Sequence, residues 1–522
     1  MPETDRGAAL FSLSDKTGSL ELARALHDRG IAIYATGGTR AFLNEGGVPA
    51  RDVGDVTGFP ELFGGRVKTL HPKVFGAILY DRADADHRTQ AQTYAIPAIH
   101  TVVVNLYPFE ETVARRSTAI AEAIEQIDIG GVALLRAAAK NFEHVAVLTH
   151  PSQYGPYLAA LADGSASPAL RRKLAVAAFE RTAEYDVAIS HYLAAAGEVA
   201  PGALPGALAL TLPLAKRLRY GTNPQARAAF YLDRSDRVPE QLHGKALSYN
   251  NLLDLDATLR LLSRAPLGAE FGSRHERYVR AAVVKHTIPC GVAQRSRVAD
   301  AVADALAADP TSAYGGIVAT DAPVDLPAAQ SLAGFFLEII AAPAFEPAAL
   351  ALLQKKKNLR VMRFEKGLPD KLAVELRVRS ALGGVLAEDD DPEAAPEEWR
   401  VVSARPPADQ EWYDLAFAWD VVRHVKSNGI VVVKNGTTRG ICAGQTNRVS
   451  AVQIAAGRAG TTGAACASDG FFPFADGLEA AVAGGCSAII APGGSVRDAE
   501  VIAAADRLGA ALVFSSYRYF LH

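Results

Sequence analysis

The run Ala281–Ala293, AAVVKHTIPCGVA, reads as a buried strand that ends in Lys285 and His286 and opens at its C-terminal edge into a loop marked by Pro289 and Gly291. Histidine, with an ordinary pKa near 6.5, can take a proton at neutral pH, and an ammonium beside it can hold a developing oxyanion or a phosphate. Taken alone, the pair reads equally as a snorkelling lysine and a strand-capping histidine. Other candidates stand apart from it. Arg66, Lys68, His71 and Lys73 crowd into eight positions among Gly, Pro and Phe in the stretch 58–82, which reads as a functional loop. Asn105 and Tyr107 follow the apolar run VVV, and Asp128 precedes the pair Gly130–Gly131, with Arg136 and Lys140 four apart beyond it. Taken singly, Asp128 reads as a plain N-cap and Lys140 as a plain partner of a helix C-terminus.

These groups need elements to hold them. From Ala8 the chain alternates ALFSL, SLELARALHDRG, IAIYAT and GGTRAFLNEGG, a βαβα pattern with connections short enough for a parallel sheet. Ser12, Ser14, Lys16 and Thr17 follow the first strand. Thr36-Gly37-Gly38-Thr39 follows the second and opens a helix, where backbone N–H groups can meet a phosphate. HVAVLT reads as a further strand, and residues 151–200 as packing helices. APGALPGALALTLPLA, residues 200–215, breaks helical periodicity and marks a domain boundary. Beyond it, the segment around 281 and the segment GIVVVKNGTTRGICAG both run apolar strand, lysine, turn, glycine, which predicts two similar subdomains; Asn435-Gly436 predicts a hairpin turn. Residues 388–400, acidic and proline-bearing, read as a surface connection.

The chain has 522 residues, too many for one core, and a net charge of −3 gives no footprint for nucleic acid. Four scattered cysteines without a C-x-x-C point to a reduced compartment rather than a disulfide framework or zinc cluster. No basic start with an apolar follow-on and no membrane-length apolar run is present, so a cytoplasmic protein acting on small molecules, with no membrane partner, is expected.

Together the blocks SLSDKTG, ATGGT, GRVKTLHPK, NLYPF, IDIGG, LLRAAAKN, LRYGTNP, KH with PCG, SNGIVVVKNG, AGQTNR, SDGFFPF and YRYFLH, in this order over nearly the whole chain, resemble the bifunctional purine-biosynthesis family. That family joins 5-aminoimidazole-4-carboxamide ribonucleotide (AICAR) formyltransferase to inosine monophosphate (IMP) cyclohydrolase. The resemblance implies an α/β protein in two parts. Residues 1–205 would be the cyclohydrolase, a methylglyoxal-synthase-like doubly wound parallel sheet over about 1–150 plus packing helices. Residues 209–522 would be the formyltransferase, two cytidine-deaminase-like α/β subdomains. The zinc signature of deaminases is missing, since Cys290 is followed by Gly-Val-Ala, and no catalytic metal is expected.

The resemblance also implies roles. The 5-amino group of AICAR is a weak nucleophile, so formyl transfer from the cosubstrate 10-formyltetrahydrofolate needs a base and oxyanion stabilisation: His286 and Lys285, with Asn428 orienting the formyl group. Arg219, Tyr220, Arg448 and Arg518 would bind nucleotide, and Glu338, Phe471 and Asp476 would line the substrate or folate pocket. In the cyclohydrolase, acting on formylated AICAR, Asp128 would be the base and Lys68, Tyr107 and Lys140 would stabilise charge and deliver protons. Ser12, Ser14, Lys16, Thr36, Gly37, Gly38, Thr39, Arg66, Asn105, Gly130 and Gly131 would hold phosphate and ribose. A homodimer is implied as well. Asn223-Pro224-Gln225-Ala226 departs from the usual Asn-Pro-His-Gln, and Tyr314 stands where Phe is usual. The competing class, an allosteric sensor on a methylglyoxal-synthase-like domain, would need the phosphate loops but not Asp128, Lys68 and Lys140 together. Methylglyoxal synthase chemistry itself would leave the C-terminal residues unexplained.

Overall fold

Five short strands build the sheet of the first unit, Met1–Thr211: β1 (Ala8–Leu13), β2 (Ala32–Ala35), β3 (Ala50–Asp52), β4 (Ile99–Asn105) and β5 (Ala146–Leu148). All pair in parallel, in the order β3-β2-β1-β4-β5. Helices cover both faces, so β1 and β4 are buried almost throughout, and their unbroken apolar runs follow from that. The order reverses between β1 and β4. At such a switch point the carboxyl ends of neighbouring strands splay apart and leave a crevice. The computed structural model describes residues 7–59, 63–115, 118–196, 204–232, 237–263, 278–372, 376–389, 399–458 and 460–522.

One expectation for this unit is corrected. The basic stretch is not loop throughout: Pro72–Leu79 is a helix that buries Val74, Ala77 and Ile78. The His71 ring accepts the Lys73 N–H at 3.2 Å and Pro72 fills the first turn, so His71 is spent as a cap. Residues 390–398 of the acidic connection lie outside the described residues.

The second unit, Leu212–His522, is organised on a twelve-stranded mixed sheet whose centre is two hairpins side by side. The first is β9 (Val279–Lys285) with β10 (Ile288–Arg295); the second is β17 (Ile430–Lys434) with β18 (Thr437–Cys442). β10 runs antiparallel to β18. On one side β9 leads to β11 (Ile317–Thr320), β12 (Ile339–Ala342) and β13 (Arg360–Arg363). On the other β17 leads to β19 (Ala464–Ser468), β20 (Cys486–Pro492) and β21 (Ala511–Ser515). The two halves repeat each other in detail. Lys285 donates to Tyr314 O at 2.6 Å and Lys434 to Thr462 O at 2.6 Å, in each case just before the third strand. A Cβ on Gly291 would fall 2.1 Å from Ala305 O, and one on Gly440 1.9 Å from Ala455 O, so each glycine lets the following helix lie against its hairpin. The expected pair of similar subdomains is present.

The sequence expectation of a strand opening into a loop after His286 is replaced by a tight turn. His286 and Thr287 alone connect β9 to β10, at φ 56° and 62°, and Ile288 pairs back with Lys285. Pro289 and Gly291 are not turn residues; they flank a register shift inside β10.

Candidate active sites

In the first unit the loops at the switch point carry one cluster. Asn105, at the end of β4, accepts the Ser14 N–H at 2.6 Å and the Asp15 N–H at 3.0 Å, and so fixes the loop after β1. Thr36 donates to the Ser12 hydroxyl at 3.3 Å, joining the two hydroxyl-rich loops. Thr39 is buried, its hydroxyl bonded to both N–H and C=O of Leu13, and therefore braces the site rather than facing it. Gly37 and Gly38 begin the helix Gly37–Glu45. Space above Gly38 is open, and a Cβ on Gly37 would sit 3.5 Å from the Lys68 Nζ, so the ammonium hangs over a helix N-terminus. Two sources of positive potential meet there, a setting for an anion.

Asp128 stands across from Lys68. Its Oδ1 accepts the Gly131 N–H at 2.6 Å, and its own N–H donates to the Tyr185 hydroxyl at 2.9 Å. Burial lifts its carboxyl above the ordinary range, against the pull of the Gly131 and Tyr107 N–H groups and the Lys68 charge. Tyr107 is raised too, by burial and then by the Asp128 charge. Lys68, Tyr107 and Asp128 thus form one electrostatic group. Gly130 is tight against Thr69, whose hydroxyl would lie 2.9 Å from an added Cβ. Arg66 is exposed and ion-paired with Glu125, and Lys16 reaches back to Ser14 O at 3.5 Å. Lys140 shares one apolar cleft with Asp128, at its far end. It ends the helix Gly130–Lys140, so ten residues at 1.5 Å each put it about 15 Å along the axis from the Asp128 end. There it borders the cleft, of about 930 Å³, with Phe142, Val176 and Phe179.

In the second unit His286 stands where two cavities meet, of about 1570 Å³ and about 330 Å³. The larger exceeds the roughly 300–1,000 Å³ of a single-ligand pocket. Arg219, Tyr220 and Glu338 line it with His286, and it is rich in cations: Lys216, Arg217, Lys245, Lys356, Lys357 and Arg360 share its wall. Arg219 lies over the Tyr220 ring at 4.7 Å and donates to its hydroxyl at 2.9 Å. Glu338 is paired with the buried Arg360 at 2.7 Å. Lys285, which borders the smaller cavity, has used one of its three donors on Tyr314 O and keeps two.

Asn428 and Arg448 form a second group, beside Gly470, Phe471 and, through Phe520, Arg518. Asn428 Oδ1 accepts from Arg448 at 2.5 Å, its amide donates to Gln445 O at 2.8 Å, and Arg448 is ion-paired with the fully buried Asp469. Ser427 donates to the same Asp469. A Cβ on Gly470 would collide with Arg448 Nη2 and the Phe520 ring at 2.6 Å, so Gly470 permits this packing. Arg518 lies over Phe520 at 4.7 Å, Phe471 is exposed, and Asp476 receives the Gly477 N–H in the first turn of the helix Ala475–Ala483. Register puts Asn428, before β17, and His286, in the turn from β9 to β10, at the same end of the sheet but between two and three strand spacings apart, roughly 10–14 Å at about 4.8 Å per strand. Sequence reasoning had passed over Asp469, Arg360 and Asp254, the last of which accepts the Thr287 N–H at 2.6 Å.

Tyr314 is exposed, with its ring 5.0 Å from Phe336, so its hydroxyl needs no protein partner. Gln225 and Ala226 lie in a turn closed by Gly221 N–H to Ala226 O at 2.8 Å. Among the described residues no cluster of three or more His, Cys, Asp or Glu could hold a metal ion, and no helix is long and apolar enough to cross a membrane.

Comparison with known proteins places this geometry in a family. A model of the AICARFT/IMPCHase bienzyme matches residues 138–458, and an MGS-like domain model matches residues 18–133. Proteins named bifunctional purine biosynthesis protein PurH are 46% identical in Synechococcus elongatus, over 98% of this chain and 99% of that one, and 48% identical in Chloroflexus aurantiacus, over 98% of each. The protein of that name from Desulfitobacterium hafniense is 47% identical over 98% of this chain and 99% of its own. The chain belongs to the bifunctional purine-biosynthesis family, whose members join AICAR formyltransferase to IMP cyclohydrolase.

Proposed function

We infer that the two units divide the last two steps of de novo purine synthesis between them. The second unit transfers a formyl group to AICAR, and the first closes the formylated product to IMP. The observation that carries this reading is the separation of two basic groups in two units: Asp128 with Lys68 and Tyr107 in the first, His286 with Lys285 in the second.

In formyl transfer His286 accepts the proton of the 5-amino group as its nitrogen attacks the formyl carbon, Lys285 stabilises the oxyanion of the tetrahedral intermediate, and collapse breaks the bond from the formyl carbon to the folate N10, which leaves as tetrahydrofolate with the proton His286 returns. The donor is 10-formyltetrahydrofolate. The cationic wall of the large cavity suits the nucleotide phosphate through Arg219 and the folate carboxylates. Asn428 orients the formyl oxygen, held by Arg448 and Gln445. In ring closure Asp128 takes the carboxamide proton as the nitrogen attacks the formyl carbon, and the oxygen takes one proton through Lys68 or Tyr107 and a second back from Asp128 to leave as water, while the 5-nitrogen gives up its proton to the spent donor as the ring C=N bond forms. A carboxyl lifted by burial is a stronger base than an ordinary one once ionised. Gly37 and Gly38, at the helix N-terminus, hold the phosphate. The enzyme works as a cytoplasmic homodimer; light scattering that returned a monomer at working concentration would remove the dimer from this account.

Two substitutions test the division. His286→Ala should abolish formylation of AICAR and leave closure of supplied formylated AICAR intact, and Asp128→Asn should do the reverse. A protein in which either change stopped both reactions, with folding preserved, would contradict separate sites.

A further inference from the structure

The turn that carries His286 is held against the preference of its own sequence. His286 and Thr287 sit at φ 56° and 62°, a region unfavourable for residues with a Cβ and worst for a β-branched one such as Thr. The duplicated hairpin makes the same turn with Asn435 and Gly436, at φ 53° and 64°, residues that accept it readily.

In both halves an aspartate from the preceding helix closes the turn. Asp414, on the helix Asp409–Val422, accepts the N–H groups of Asn435 at 2.8 Å and Gly436 at 2.7 Å. Asp254, on the helix Tyr249–Arg260, accepts the Thr287 N–H at 2.6 Å, and the Thr287 hydroxyl donates to His286 O at 2.6 Å. In the second hairpin, clamp and turn residues agree. In the first the clamp has to impose the geometry.

We propose that Asp254 is a positioning residue for formyl transfer: by holding the Thr287 N–H it keeps the 286–287 turn left-handed and sets the His286 imidazole at the cavity. This rests on the reading of His286 as the base. Loss of the clamp lets the turn relax toward negative φ, and a shift of about 1 Å in a reacting group costs on the order of 10²-fold in rate.

The test compares full-length Asp254→Ala, Asp254→Asn, Asp254→Ala/Thr287→Gly and His286→Ala in both reactions, with thermal melting alongside. Asp254→Ala should lower kcat for formyl transfer about 10²-fold, leave the AICAR KM within about threefold, and leave ring closure unchanged. Asp254→Asn keeps an acceptor oxygen and should retain most activity. Thr287→Gly should restore at least about tenfold to the Ala variant, because glycine adopts the left-handed turn without a clamp. Restoration by glycine is the outcome a direct contact between Asp254 and substrate would not give. The inference is overturned if Asp254→Ala transfers formyl groups normally while His286→Ala does not, or if neither Asn nor glycine recovers activity in a protein that melts normally. Should His286→Ala itself remain active, the reading of the base fails first and the positioning role goes with it.

Discussion

Gly131→Ala should separate the two activities without harming the fold. The Gly131 N–H holds Asp128 Oδ1 at 2.6 Å, and a Cβ built on Gly131 would lie 2.4 Å from Asp128 Oδ2 and 2.9 Å from its Cγ. An ordinary contact begins near 3.4 Å, so the carboxylate has to retreat by about 1 Å. Misplacement of that size in a general base costs on the order of 10²-fold, about 2.7 kcal/mol of barrier. The same substitution sits at the second position of the helix Gly130–Lys140, where alanine is the better helix former by up to about 1 kcal/mol. The melting temperature should therefore hold or rise while ring closure falls. The assay follows IMP formed from supplied formylated AICAR, with formyl transfer as the internal control. Ring closure within about threefold of the parent would show that Asp128 is not held where the reaction needs it, and the assignment of the base would be wrong.

Other outcomes follow from the same geometry. Because burial raises the Asp128 pKa, the acid limb of ring closure, which needs the ionised carboxylate, should lie above the roughly 3.9 of a free aspartate; a limb at or below 4 would refute the assignment. Thr39→Val leaves the Leu13 N–H and C=O without their hydroxyl and should cost about 1–3 kcal/mol in urea unfolding. Asp420→Asn removes the charge that offsets the Arg280 guanidinium, paired at 2.6 Å with both side chains fully buried, and should destabilise the protein by about 3–5 kcal/mol; a change under about 1 kcal/mol would show that the pair is replaceable. Glu411 is held near pKa 2, from 4.5, chiefly by Arg405, which grips both carboxylate oxygens at 2.8 Å. A lowered carboxylate pKa stabilises above the unfolded value, so the melting advantage over Glu411→Gln should be full above about pH 4.5 and fade toward pH 2.

Much of this was legible before any coordinates, for physical reasons that differ by element. The parallel sheet was readable because strands buried on both faces must be apolar runs, and Asn435-Gly436 was readable because those residues favour a left-handed turn. Lys68, Tyr107 and Asp128 were singled out one by one, in a basic loop, after an apolar run and before a glycine pair, and the family resemblance alone joined them, with Lys140, into one site. The rise of its helix puts Lys140 about 15 Å along the axis from the Asp128 end, and both border one apolar cleft. Asp254 and Asp469 gave no signal of their own. Their work is to hold N–H and guanidinium groups of residues that are distant in the chain, and only the fold reveals those partners.

The turn after β9 misled the sequence reading because it breaks the rule that made the other hairpin obvious. Nothing in His286-Thr287 suggests a two-residue connection at positive φ, while Pro289 and Gly291 advertise a turn they do not make. The duplicated half removes geometry as the reason for the exception, since Asn435-Gly436 closes the same connection with residues suited to it. What the exceptional half gains is an imidazole at the tip, next to Lys285 and open to two cavities. Strain kept where an easier solution exists in the same chain points to selection on chemistry rather than on stability. It follows that replacing His286-Thr287 by Asn-Gly should leave the second unit at least as stable as before and unable to transfer a formyl group. A variant that instead lost stability would mean that the left-handed turn carries no strain.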